Sequence, residues 1–260
     1  VAALATSWLV GCGESQPAEH PQGSTAAQSV AEYDVAVDLW LRRREPRQAL
    51  EKALRAVELD EDNAAANHLV ALLYLDFCQR DAAECRFDEA ERFARASLEA
   101  DEQFREAKNT LGVVLVHQKR YPEAIEVLRP LSQDMLYQTP ENAWGNLGWA
   151  YLESGRTEEA IEALQRSTAV QPSFCVGHYR LGVAYEKKQD PRAAIAAYTR
   201  ALEVDHPRCK ELQQAFAARG RLHVQLGRQD DGVRDLEQCV HLANSTQTGR
   251  QCAALLSSLK

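Results

Sequence analysis

Residues 141–174 read Glu-Asn-Ala-Trp-Gly-Asn-Leu-Gly-Trp-Ala-Tyr-Leu-Glu-Ser-Gly-Arg-Thr-Glu-Glu-Ala-Ile-Glu-Ala-Leu-Gln-Arg-Ser-Thr-Ala-Val-Gln-Pro-Ser-Phe. Trp144, Leu147 and Tyr151 stand at i, i+3 and i+7, so they share one face of a first helix. Gly148 has no side chain to hold a neighbouring backbone away. Gly155 ends the helix, and Ala160, Leu164 and Ser167 form the facing stripe of a second one. Pro172 stops the pair. Neither helix can bury its apolar stripe alone, so the unit requires similar units beside it.

Degenerate copies do flank it. Residues 30–63 carry Tyr33, Trp40, Ala49, Ala53 and Ala56, and residues 64–104 carry Ala71, Tyr74, Ala90, Ala94 and Ser97. Residues 105–139 carry Leu111-Gly112, Leu115, Ala124 and Leu128. Residues 175–208 carry His178, Leu181-Gly182, Tyr185, Ala194 and Tyr198. A looser copy spans 213–246 with Gly220, Gly227 and Leu236, and residues 247–260 are expected to form a capping helix. The spacing W-x2-L-G-x2-Y followed by small and apolar residues and Pro resembles the tetratricopeptide repeat (TPR), of about 34 residues. The resemblance implies an all-α fold: a TPR superhelix, or α-solenoid, of about six helix-turn-helix repeats over 30–246.

Composition agrees with stacked helices and narrows the partners. The chain has 260 residues, 38 acidic against 30 basic, and a formal net charge of -8. An acidic body lacks the basic face that nucleic acid requires, and no apolar run is long enough to span a bilayer.

The N-terminal segment has a different composition. Residues 1–12 are uncharged and mostly apolar and end in Leu9-Val10-Gly11-Cys12. They resemble the lipobox of bacterial lipoprotein signal peptides. The resemblance implies removal of residues 1–11 and acylation of Cys12; the opening on Val1, with no basic stretch before the apolar run, is expected of a start that is truncated or misplaced. Gly13 in place of an aspartate points, by the same analogy, to the outer membrane. Residues 12–29 are polar and rich in Pro, Gly and Ser, and are expected to be a disordered tether with a mean reach of roughly 20–25 Å.

Six cysteines remain beyond Cys12, and six allow 15 pairings. In a solenoid each repeat touches only its neighbours, which limits the choice. Cys78 and Cys85 flank an insertion inside one repeat, and Cys175 and Cys209 open successive first helices. Cys239 lies on the last second helix and Cys252 on the cap that should pack against it. The expected bonds are Cys78–Cys85, Cys175–Cys209 and Cys239–Cys252, in keeping with an oxidising compartment. The alternative is six small buried side chains. No Cys-x2-Cys pair exists and the histidines are scattered, so no metal is expected.

No His-Glu-x-x-His, Gly-x-Ser-x-Gly or Gly-x4-Gly-Lys-[Ser/Thr] motif is present, and neither an enzymatic activity nor a cofactor nor a small-molecule substrate is expected. His178 replaces Trp144 of the preceding repeat and reads as a packing residue; Glu158-Glu159 and Asp230-Asp231 fall at helix starts, where they favour the dipole. The TPR resemblance implies a concave face lined by first helices. It assigns groove positions to Leu72, Leu75, Val113, Val116, Trp149, Leu152, Tyr179 and Val183, edged by Asp38, Asp76, Glu153 and Glu186. An apolar strip rimmed by charge fits a protein partner, either an amphipathic helix or an extended segment; the alternative is ordinary superhelix core. The residues that clamp chaperone tails in some TPR proteins are missing, since Val113 stands where that clamp needs asparagine.

A lipobox, a tether and about six TPRs together resemble the pilotins of type IV pilus systems, the PilF, PilW and Tgl group. The run Phe174-Cys175-Val176-Gly177-His178-Tyr179-Arg180-Leu181-Gly182, with Cys209-Lys210-Glu211-Leu212 a repeat later, is the most particular part of the resemblance. It implies a periplasm-facing outer-membrane lipoprotein that binds the secretin PilQ, promotes its assembly, and supports pilus biogenesis and pilus-dependent motility. Two other readings are a TPR lipoprotein of envelope assembly, acting in outer-membrane protein insertion or peptidoglycan synthesis, and a TPR scaffold without membrane attachment.

Overall fold

The structure is a computed structural model and describes residues 24–80 and 83–259. No strand occurs among the described residues. Six helix pairs follow one another: α1 (Thr25–Asp38) and α2 (Pro46–Leu59), α3 (Ala64–Arg80) and α4 (Phe87–Ala100), α5 (Arg105–His117) and α6 (Tyr121–Ser132). Then come α7 (Pro140–Glu153) and α8 (Thr157–Val170), and α9 (Cys175–Lys187) and α10 (Pro191–Glu203). A four-residue helix, α11 (Pro207–Lys210), precedes the last pair, α12 (Gln213–Gln225) and α13 (Gln229–Leu242), and α14 (Gln247–Ser258) closes the stack.

The turn between the helices of a pair passes through the same backbone conformation five times. Arg44, Lys119, Gly155, Gln189 and Gly227 all have φ between 62° and 81°, the left-handed conformation. In four of them the next residue donates its N–H back across the turn: Arg120 to the Leu115 carbonyl, Arg156 to Tyr151, Asp190 to Tyr185 and Arg228 to His223, at 2.8–2.9 Å. This is the Schellman closure of a helix C-terminus. After α1, a π-helical turn, Leu39–Arg43, adds a residue to the loop, and Glu45 reaches the Leu39 carbonyl instead. Proline in the first turn of α2, α6 and α10 then starts the second helix where an N–H is not needed.

The small residues of the repeat sit where helices cross most closely. A Cβ on Gly148 would fall 2.9 Å from Leu164 Cδ2, and one on Gly182 would enter the ring of Tyr198. Ser167 is fully buried and donates to the Glu141 carbonyl at 2.8 Å, tying the end of α8 to the start of α7; Ser97 does the same to Ala64. Its place in the stripe thus serves a hydrogen bond as well as packing.

Successive first helices touch from α1 through α3, α5 and α7 to α9, and successive second helices make no comparable contact. The stack is therefore narrower on the first-helix side and curves with that side concave. The opening on the other side is visible between α8 and α10, a cleft of about 860 Å³ walled by Thr168, Ala193 and Ala196 and floored by His178 and Leu181.

Two features depart from the sequence reading. The tether expected over 12–29 gives way to helix from Thr25, because Ser24 caps it by accepting from the Ala27 amide. Ser29 is already buried, donating to the Ala56 carbonyl at 2.7 Å and accepting from Asn63 at 2.9 Å. Cys209 lies on α11, ahead of the first helix α12, and α12 rests mainly on α10 and α13. Residues 1–23, with Cys12 and the signal-peptide reading, lie outside the described residues.

Candidate partner-binding face

The eight groove positions separate into two groups. Leu72, Val113, Trp149, Tyr179 and Val183 are part-buried on the first-helix face. Leu75, Val116 and Leu152 are core residues, 7%, 3% and 2% exposed. Leu75 packs with Ala90 and Val114, while Val116 and Leu152 belong to the main apolar cluster. The reason is the curvature itself: neighbouring first helices touch, and side chains aimed along the seam between them are enclosed by the next helix. The expected apolar strip is accordingly shorter and interrupted.

Polar and aromatic side chains fill the interruptions. Arg180, on α9, donates from Nη1 to the Gly145 carbonyl at 3.1 Å and to Asn146 Oδ1 at 2.9 Å, both on α7. Asn146 Nδ2 donates in turn to Asn109 Oδ1 on α5 at 2.9 Å. The Arg180 guanidinium also lies 4.5 Å from the centre of the Trp149 ring, a cation–π contact. His117 meets the same indole edge-on at 4.9 Å and stacks on Phe87 at 4.9 Å. Burial, then the charge of Arg180, pushes the His117 imidazole below its ordinary value, so it is neutral beside the arginine.

Burial also pulls the Arg180 guanidinium down to about 10, against partial offsets from Tyr179 and Glu153; it remains a cation at neutral pH. Among the described residues Arg180 has no carboxylate in an ion pair, unlike Arg219, which donates to both oxygens of Asp235 at 2.7 and 2.8 Å. The rim acids are mostly occupied. Asp38 pairs with Arg43 at 2.9 Å, Asp76 with Arg80 at 2.6 Å, and Glu186 accepts from Tyr198 at 2.6 Å and Arg221 at 2.5 Å. Glu153 is exposed.

His178, read as a packing residue, is 6% exposed, and its Nε2–H donates to the Pro172 carbonyl at 2.9 Å. Glu158-Glu159 and Asp230-Asp231 stand in the first turns of α8 and α13. The structure joins Cys78 to Cys85, Cys175 to Cys209, and Cys239 to Cys252. No cluster of three metal-ligating side chains occurs among the described residues, and no described helix is long and apolar enough to cross a membrane.

The row Asn109–Asn146–Arg180 was not apparent in the sequence. Its members lie 37 and 34 residues apart, one repeat each, so the signal would have been polar residues recurring at the repeat period on the concave face.

The tetratricopeptide-repeat family matches residues 103–173 and again 176–206. This chain is a tetratricopeptide-repeat protein. It is homologous to the type IV pilus assembly protein PilF of Pseudomonas aeruginosa, 30% identical over 177 residues, covering 65% of this chain and 66% of PilF. About a third of PilF's length lies outside that match. The TPR fold superposes on the solved structure of P. aeruginosa PilF with a TM-score of 0.69, at 20% identity, covering 90% of this chain and all of that one. It superposes on PilW, described as a widely conserved type IV pilus biogenesis factor, with a TM-score of 0.72, at 19% identity, over 86% of this chain and 98% of that one. At these identities the structural likeness establishes the α-solenoid fold.

Proposed function

We propose that this TPR protein is a type IV pilus assembly factor of the pilotin kind: an outer-membrane lipoprotein that binds a subunit of the pilus secretin and promotes its assembly. The observation that carries the reading is the homology to PilF, which covers 65% of this chain. A scaffold role without catalysis fits the TPR architecture, whose repeats present a continuous surface to another polypeptide. In this reading acyl chains on Cys12 hold the array at the membrane and raise its local concentration there. The concave face, with Trp149 and Val113 at its middle, covers apolar surface of a secretin subunit until neighbouring subunits take it over.

Deleting the gene should abolish surface pili and leave the secretin monomeric on gels of unboiled envelope. Cys12→Ala should move the protein out of the membrane fraction. Trp149→Ala should weaken capture of the secretin from detergent-solubilised envelope by about 2 kcal/mol or more, since aromatic anchors often dominate interfaces. Normal secretin oligomers in the deletion strain would refute the reading.

A further inference from the structure

The cleft between α8 and α10 lies in a repeat that differs from the one before it at three places. In the earlier repeat Trp144 is part-buried against the main apolar cluster, and the Arg166 guanidinium lies 4.9 Å from the centre of its ring. Arg166 also donates to Glu162 on its own helix at 2.8 Å. Each has a counterpart 34 positions later: His178 for Trp144, Ala196 for Glu162 and Arg200 for Arg166. Indole gives way to imidazole and carboxylate to methyl, while the guanidinium is kept. What remains is the open cleft of about 860 Å³ that His178 and Arg200 both line. Among the described residues Arg200 has neither a carboxylate in an ion pair nor an aromatic ring beneath it, in contrast to Arg166.

The lining suits a ring. Ala193, Ala196 and Ala197 leave the α10 wall without bulk, and a cation above a π face gains most where apolar walls exclude water. His178 adds a second feature. It is 6% exposed, and because its Nε2–H is given to the Pro172 carbonyl, Nδ1 is a lone-pair acceptor that no donor reaches among the described residues. Burial holds the imidazole below its ordinary value, so the ring is neutral and keeps that lone pair at neutral pH. A buried acceptor without a donor is a cost that an occupant can relieve. An indole or a phenol brings both a π face and a donor. A second copy of the chain has no free ring to insert, since every aromatic side chain among the described residues is buried or part-buried.

We propose that the cleft between α8 and α10 receives a tryptophan or tyrosine side chain of another polypeptide, its ring against Ala196 and Ala197 beneath Arg200 and its N–H or O–H directed to His178. The incoming ring takes the place that Trp144 fills from within the preceding repeat. The cleft is larger than one ring fills, which leaves room for the main chain that carries it. It opens on the side away from the concave face, so the inference stands whether or not the concave face holds a secretin.

The test is a titration of the nitrogen-15-labelled protein with N-acetyl-tryptophanamide, read from the backbone amide resonances of Thr168, Ala193, Ala196 and Ala197. These should shift together and saturate, and N-acetyl-leucinamide should bind at least fivefold more weakly. Methylating the indole nitrogen of the probe should weaken binding at least threefold, through loss of the donor. His178→Trp, which restores the ring of the preceding repeat, should fill the cleft and weaken the probe at least tenfold with helical circular dichroism unchanged. If that variant does not fold, Arg200→Met, at an exposed position, replaces it and should weaken the probe at least threefold. Free tryptophan should bind no more tightly than the blocked amide, as a side chain within a polypeptide requires. Shifts that do not cluster at the cleft, a response unchanged by methylation or by the variant, or a preference for the free amino acid overturns the proposal. So does concentration-dependent shifting of the same resonances without probe, which would make a second copy the occupant.

Discussion

The aromatic ring of Tyr198 occupies the space that a Cβ on Gly182 would fill, on the facing helix of the same pair. Tyr198 is fully buried, and its hydroxyl donates to Glu186 at 2.6 Å, so the ring is fixed at both ends and cannot move aside. Gly182→Ala should therefore destabilise the array by about 1–3 kcal/mol through overpacking. Gly155, with nothing within 4 Å of its absent Cβ, offers the contrast: its φ of 81° makes Gly155→Ala a purely conformational cost of about 1–2 kcal/mol. Urea unfolding of the two variants with Tyr198→Leu added separates them, since the smaller side chain should relieve Gly182→Ala alone.

Lys119 and Gln189 hold the same left-handed corner as Gly155 without being glycine. Lys119→Gly and Gln189→Gly should each raise stability by about 0.5–1 kcal/mol, the relief of the left-handed conformation less the added freedom of the unfolded chain. Thermal melting reads this directly, and a fall in melting temperature for both would contradict it.

The Cys175–Cys209 bond closes a loop of separation 34, ties the start of α9 to α11, and packs against buried Ala201. Its removal by Cys175→Ala with Cys209→Ala should cost about 4 kcal/mol by the chain-entropy estimate. The larger effect should fall on the last pair and the cap. Hydrogen exchange should show protection lost in α12–α14 before α5–α8.

His68 should make stability depend on acid. Burial pushes its imidazole down to about 4 from an ordinary 6.5, with the Glu106 carbonyl pulling weakly the other way. Its Nε2–H donates to Thr110 Oγ1 at 2.9 Å, because the Thr110 hydroxyl proton is given to the Glu106 carbonyl at 3.0 Å. The folded ring binds its proton later than the unfolded one, so stability is intact above about pH 6.5 and falls as the pH drops toward 4. The loss from this side chain should reach about 3 kcal/mol below pH 4. Burial lowers His117, His178 and His223 as well and steepens the same slope. Urea midpoints at pH 7.5 and 4.5 should differ by less in His68→Gln than in wild type.

What the sequence revealed, and what it hid, follows from the range of the contacts involved. Trp144, Leu147, Gly148, Tyr151, Ala160 and Leu164 describe a pair of helices crossing within one repeat, and local spacing is enough to read that. Cysteine partners were accessible because a solenoid brings together only neighbours. The start of α1 at Thr25 was concealed by polar composition: Ser24 and Ser29 act through hydrogen bonds to backbone, which no hydrophobic pattern records. Leu75, Val116 and Leu152 were misplaced because a groove position is defined on a single helix, whereas their burial depends on how closely the next first helix approaches. Arg180 is identified by what it touches a repeat away, on Gly145, Asn146 and Trp149.

The left-handed corner recurs at Lys119, Gly155 and Gln189, each closed by the same backbone bond and followed by a helix of the same role. A segment cut at one such corner and rejoined at the next keeps both joints chemically intact. Gene duplication or deletion of a single unit would therefore yield a longer or shorter chain with sound joints, and the length of the array is open to evolutionary adjustment without redesign of its core.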